Sequence, residues 1–209
     1  MEPDPIEIRV VACLVEKQRT TPDAYPLSLN ALRLACNQST NRDPVVAYDE
    51  ATVSEALRRL ALRGWTRLAS GAGSRARKYR HLLPEALGLD QAEVSLLAVL
   101  MLRGPQTPGE LKQRSERLHA FADLAAVEAT LERLIERDQV ARLQRRPGQK
   151  EVRYAQLLTA EEEGEESFPP APAAAEEDEI VAGLEAEIVS LRAELTRLRE
   201  AYSEPPTDA

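Results

Sequence analysis

The chain has 209 residues, 43% apolar and 30% charged, with a formal net charge of −8; this is an ordinary globular composition, long enough for one or two domains. No apolar stretch reaches the roughly 18 residues needed to cross a bilayer, and the N-terminus MEPDPIEIRVV has no basic segment ahead of an apolar run, so neither a membrane span nor a signal peptide is expected. The charge is unevenly spread: residues 1–88 carry 13 basic and 10 acidic side chains, residues 89–159 carry 11 and 10, and residues 160–209 carry 3 and 15, so a weakly basic body precedes a strongly acidic tail.

Apolar periodicity predicts a first helix over 6–17 and a second over 28–36, with Ser28 as N-cap. Cys13 and Cys36 fall within these apolar patterns and read as two buried thiols of a cytoplasmic protein. A third helix follows over 50–63, capped by Asp49, with Val53, Leu57 and Leu60 forming one apolar stripe. Gly64 stands where a helix end favours a left-handed residue. Residues 65–69 and 75–82 then read as two strands joined by a tip at Ser70-Gly-Ala-Gly-Ser74.

The same order recurs downstream. Val127, Leu131, Leu134, Arg142, Leu143 and Tyr154 repeat Val53, Leu57, Leu60, Arg67, Leu68 and Tyr79 at an offset of 74 or 75 positions, which duplicated structure explains better than chance. The second copy predicts helices over 91–103, 108–118 (N-cap Thr107) and 124–137. Its strands are expected over 140–143 and 151–157, turned by Arg146-Pro-Gly-Gln149. Three helices followed by a two-stranded hairpin is the order of a winged helix-turn-helix. The expected fold is therefore mainly α with small β-hairpin wings (α+β): a first winged-helix domain over 1–88 and a second over 89–159.

Beyond Leu158 the composition changes abruptly. Residues 160–178, rich in Glu and Pro, read as an acidic disordered linker. Over 179–202 a short coiled-coil helix is expected, with Val181, Ile188 and Leu195 at a and Leu184, Leu191 and Leu198 at d, a pattern that favours a parallel homodimer through residues 181–198. A helix folding onto its own chain is the alternative.

The stretch Thr21-Pro-Asp-Ala-Tyr-Pro-Leu-Ser-Leu-Asn-Ala-Leu32 with Ala35-Cys-Asn-Gln-Ser-Thr-Asn-Arg-Asp-Pro-Val45 resembles the signature of the YceH-like bacterial family. The wing segments Ser70–Arg75 with Lys78-Tyr79, and Arg146–Glu151 with Arg153-Tyr154, agree with it. The resemblance covers about residues 6–158 and implies two winged-helix domains, commonly with a C-terminal helical tail. It implies no catalytic residue, because the family is itself described as uncharacterised.

A winged helix reads DNA with its third helix in the major groove and its wing on backbone or minor groove. The face of helix 50–63 opposite its apolar stripe carries Ala51, Glu55, Arg58, Arg59 and Leu62, with Ser54 at its edge, and the wing adds Arg75, Arg77, Lys78 and Arg80. From Ala51 to Leu83 eight basic residues face one acid, Glu55, the charge footprint of phosphate contact. The candidate contact set is Gln38, Thr40, Arg42, Ser54, Arg58, Arg59, Arg75, Arg77 and Lys78. Within loop 37–43 the polar side chains either bond phosphates or satisfy the loop's own backbone.

In the second copy Ala125, Ala129, Glu132, Arg133 and Glu136 are expected outward. Carboxylates there repel phosphate, so that domain suits packing, dimerisation or a protein partner. His81 and His119 have no Cys or His at metal-ligand spacing and read as surface or edge residues. No nucleotide or nucleophile motif is present, so no enzyme, metal or cofactor is expected. DNA is the expected partner; a protein-interaction adaptor is the alternative. The acidic tail would either compete with DNA for the basic wing or serve as a spacer.

Overall fold

The structure is a computed structural model describing residues 2–69, 77–145 and 151–159. It is mostly helical with small antiparallel sheets. The wing tip at 70–74, the turn at 146–149, the acidic linker and the coiled-coil positions 181–198 lie outside the described residues.

Helix α1 (Pro5–Thr20) begins one residue earlier and ends three later than its periodicity suggests. Asp4 is its N-cap: its carboxylate accepts from the Glu7 amide at 2.8 Å, and Glu7 reaches back to the Asp4 amide at 3.0 Å. Both orphan donors are thereby satisfied, and Pro5 fits the first turn because it has no N–H to lose. After a 3₁₀ turn at Pro22–Ala24 come strand β1 (Leu27–Ser28), helix α2 (Leu29–Cys36) capped by Ser28, and helix α3 (Glu50–Leu62) capped by Asp49. Gly64 has φ +74°, where a side chain would be strained.

Strands β2 (Thr66–Leu68) and β3 (Lys78–His81) pair antiparallel, and β1 adds to the other edge of β3, in the order β1-β3-β2. Strand β1 is two residues long, too short for a period-two signal in the sequence. The short helix α4 (Leu83–Leu87) is also unanticipated.

The second half repeats this plan. Helix α5 (Gln91–Arg103) is capped by a box of Asp90 and Glu93, α6 (Pro108–Ser115) by one of Thr107 and Glu110, and α7 (Leu124–Glu136) by Asp123. Strands β4 (Val140–Arg142) and β5 (Tyr154–Gln156) pair antiparallel. In place of a third strand, Gln106 bridges Tyr154. The duplicated tyrosines hold the same station: Tyr79 pairs with Leu27 and Leu68, Tyr154 with Gln106 and Arg142.

All described residues belong to one compact unit, residues 1–161. Its centre is the packing of α1 against α5. Residues 7–15 of α1 and 93–102 of α5 are buried without interruption, as expected of helices enclosed on all sides. Leu14, Leu32, Leu60, Leu97 and Leu131 join one continuous core, each contributing about 2 kcal/mol through removal of apolar surface from water. Cys13 and Cys36 are buried free thiols in that core.

Candidate nucleic-acid interface

Helix α3 exposes Glu50, Ala51, Ser54, Glu55, Arg58, Ala61 and Leu62. Arg58 and Glu55 form an exposed intrahelical ion pair, with Arg58 Nε 2.9 Å from Glu55 Oε2. The bonded guanidinium holds the Glu55 carboxyl below the usual carboxylate range. The helix therefore presents one hydroxyl, one neutralised pair and, at its first turn, the Glu50 carboxylate, less positive than the residue count implies.

The stronger positive surface lies on the sheet. Side chains alternate faces along a strand. On β3, His81 turns into the core, so Lys78 and Arg80 share the opposite face. In the β2–β3 register Arg67 stands directly across from Arg80. Among the described residues neither arginine meets a carboxylate, and the Arg80 Nε is enclosed without a hydrogen-bond acceptor. Like charges directly opposite one another destabilise a sheet, whereas an anion lying across them is attracted by both. Arg77 is exposed at the start of this strand.

The sequence-predicted residues divide into three groups. Ser54, Arg58, Arg77 and Lys78 are exposed on α3 and around β3, and Thr40 is exposed on its loop. Arg75 lies outside the described residues, as do Val181, Leu184, Ile188, Leu191, Leu195 and Leu198. Three others are occupied within the fold. The Arg42 side chain is 0% exposed and bonds Glu16 at 2.6 and 3.1 Å, the carbonyls of Ala35 and Asn41, and Gln38 Oε1. Burial opposes its charge, but the Glu16 carboxylate more than compensates, so its pKa is raised. Gln38 accepts from both Arg42 and Lys17. Arg59 binds Asp4 at 2.6 Å, and the next arginine of that row, Arg63, binds Glu7 at 3.0 Å.

Arg42 is thus a structural cation, not a phosphate contact, and loop 37–43 serves largely to satisfy itself. Asn37 closes it by donating to the Tyr48 carbonyl and accepting from the Tyr48 amide. Neither Arg67 nor Arg80 is in the contact set that the sequence suggests. The signal that could have found them is the pairing of strand 65–69 with strand 75–82, which sets Arg67 opposite a basic position.

The second half differs. Glu128, Glu132 and Glu136 form an exposed row on α7. Arg133, expected outward with them, keeps 43% of its side chain exposed while its guanidinium pairs with Asp90 and Glu93, 3.1 Å from each. Arg142 is held by the Tyr154 hydroxyl and Glu132, and Arg153 by Glu110.

His81 is not a surface residue. It is buried, with Nε2 2.7 Å from Gln18 Oε1 and Nδ1 accepting from the Leu83 amide at 3.4 Å. That pattern suits a neutral ring protonated on Nε2. Burial pulls its pKa down to about 4, against opposition from Glu85 and with help from Arg80 and Arg19. Its amide donates to the Tyr25 hydroxyl, and burial pushes Tyr25 up to about 12. His119 packs edge-on against Phe121. Among the described residues no cluster of His, Cys, Asp or Glu could hold a metal ion, and no helix is long and apolar enough to cross a membrane.

A family model described as "Protein of unknown function, DUF480" matches residues 4–149. The UPF0502 protein of Geobacter metallireducens is 52% identical over 190 residues, covering 87% of this chain and 86% of the relative. That of Pelobacter propionicus is 47% identical over 206 residues, covering 95% and 94%. A third, from Geotalea daltonii, is 53% identical over 169 residues, covering 79% and 77%.

Proposed function

The chain belongs to the DUF480 family, and from that premise we propose that it is a non-enzymatic, cytoplasmic, regulatory DNA-binding protein built as two tandem winged helices. The helix, helix, helix, antiparallel-pair order in each half supports the winged-helix reading. The observation that carries the DNA reading is the cationic outer face of the first sheet, where Arg67 and Arg80 stand opposite one another with Lys78 beside them. In this reading that face lies on the phosphate backbone, and α3 offers Ser54 and Arg58 to the major groove. Residues 181–198 would pair two chains as a coiled coil, so that two such faces meet one duplex.

Fluorescence anisotropy of the full chain with a random-sequence duplex across a salt series tests the proposal. Neutralising three to five phosphates predicts a log–log slope of about −3 to −5. Replacing Arg67 and Lys78 together by glutamate should abolish binding. Unchanged affinity in that variant would refute the reading.

The acidic row Glu128, Glu132 and Glu136 on α7 favours a second role for the other half: a surface for a basic protein partner, which makes an adaptor the competing function. Full binding of DNA by a variant with all three replaced by glutamine, together with loss of a co-purifying partner, would assign that face to protein.

A further inference from the structure

The two halves meet along α1 and α5, and at the C-terminal ends of those helices they leave a cavity of about 440 Å³, within the usual size of a small-molecule site. Its walls include Glu16 from α1, Asn41 from the α2–α3 loop, Arg103 from the end of α5, Arg114 from α6 and Arg117 just beyond it. Leu102 and Leu118 supply apolar wall.

Three arginines here face one carboxylate, and that carboxylate is already engaged. Glu16 is bonded by Arg42 at 2.6 and 3.1 Å and approached by Lys17 at 3.6 Å. Arg114 lies 3.6 Å from Glu110, but Glu110 also takes Arg153 at 3.2 Å and the Thr107 amide at 2.8 Å. Arg103 donates to the Asn41 side chain. Neither Arg103 nor Arg117 forms an ion pair with a carboxylate among the described residues. Burial first, then the neighbouring charges of Arg114 and Arg42, push the Arg103 pKa down, the mark of a cation short of counter-charge.

The end of a helix ordinarily repels anions, but the α5 carbonyls are already capped. Leu100 accepts from the Gly104 amide at 2.9 Å, Leu102 from the Asp43 amide at 2.8 Å, and Arg103 from the Gln106 side chain at 3.1 Å. Asn41 is held at φ +61°, a conformation asparagine tolerates better than most residues, and this turns the loop to face the cavity.

We propose that this cavity binds a small, multiply charged oxyanion, a phosphate- or carboxylate-bearing metabolite, gripped by Arg103 and Arg117 with Arg114 in support. Guanidinium groups suit such ligands because they offer paired, planar donors. The occupant would touch both halves and the loop that leads into α3. This site does not depend on DNA being the macromolecular partner.

Calorimetric titration of the full chain with pyrophosphate and, separately, with citrate tests it, at constant ionic strength. Saturable binding by either supports the site, and the responding probe tells phosphate from carboxylate chemistry. Arg117→Met, which removes an exposed side chain, should weaken that binding at least tenfold, and Arg103→Met together with Arg117→Met should eliminate it. Arg142→Gln, an equal charge loss on the second sheet and outside the cavity lining, should leave it intact. Three results would overturn the proposal: no saturable binding by either probe, equal weakening by Arg142→Gln, or a loss of duplex affinity in Arg117→Met without any added anion, which would make the cavity part of a DNA surface.

Discussion

Glu7 and Glu93 hold the same station in the two halves: each is the third residue of a capped helix, each closes a capping box with an aspartate, and each is gripped by the two arginines at the end of its own third helix. Arg59 and Arg63 serve Asp4 and Glu7; Arg133 and Arg137 serve Asp90 and Glu93. The carboxylates are 2% and 1% exposed. Replacing either by alanine opens the capping box and removes a buried carboxylate from between two arginines, of which Arg59 and Arg133 keep Asp4 and Asp90. Each substitution should lower unfolding free energy by about 2–4 kcal/mol in urea denaturation. A loss below about 0.5 kcal/mol in both would mean the clamps are surface decoration.

Because α1 and α5 enclose one another, the halves should unfold together. Trp65, the single tryptophan, lies in the first half. Leu97→Ala in α5 of the second half opens a cavity at a fully buried site and should cost about 2–5 kcal/mol. The Trp65 fluorescence transition should shift with the far-ultraviolet circular dichroism transition. A Trp65 signal that stays at its wild-type midpoint while part of the dichroism melts early would show two independent domains.

Much of this architecture is legible in the sequence. Ser28, Asp49 and Thr107 cap the helices they were expected to cap, and Gly64 adopts the left-handed conformation its position suggested. Those signals are local: a short polar side chain before an apolar periodicity, a glycine after it. The ion pairs of Arg42, Arg59 and Arg133 are not legible in the sequence because their partners, Glu16, Asp4 and Asp90, lie on or cap other helices. An arginine in a polar loop carries no mark of burial; only the packing of α2 beside α1 supplies it. His81 is hidden likewise, since its burial depends on Gln18 and Tyr25 of α1 and the turn after it.

Arg42 separates a structural cation from a binding one. Arg42→Ala strands Glu16, whose side chain is 12% exposed, and should cost about 3 kcal/mol. Arg77→Ala, at an exposed position, should change stability by less than about 0.5 kcal/mol. Urea midpoints of the two variants decide the matter; equal losses would place Arg42 on the surface.

Acid should weaken the fold through His81. Its folded pKa is about 4 against an ordinary 6.5. Between those values the unfolded chain binds a proton that the folded chain refuses, so stability falls as pH drops through 6.5 and levels off below about 4. Of a full effect of about 3 kcal/mol, about 2 should be lost by pH 5. His81→Gln keeps a donor for Gln18 and cannot titrate. The stability difference between pH 7.5 and pH 5 should therefore be smaller in that variant by about 2 kcal/mol, and identical pH dependence would show that His81 is protonated in the fold.

The pairing of Arg67 with Arg80 yields the sharpest separation of stability from binding. In the register of β2 and β3 the two arginines are direct cross-strand partners, and like charges so placed work against the sheet. Arg67→Glu converts a repulsive pair into an attractive one and should raise stability by about 0.2–1 kcal/mol. The same change replaces a phosphate-attracting charge by a repelling one, so duplex affinity should fall and the salt slope should shrink by more than about 1. A residue whose loss strengthens the fold but weakens binding is retained for the ligand, not for the structure. Thermal unfolding and anisotropy on the one variant measure both. A destabilised variant with unchanged duplex affinity would assign Arg67 to the fold and remove the central support for DNA as the partner.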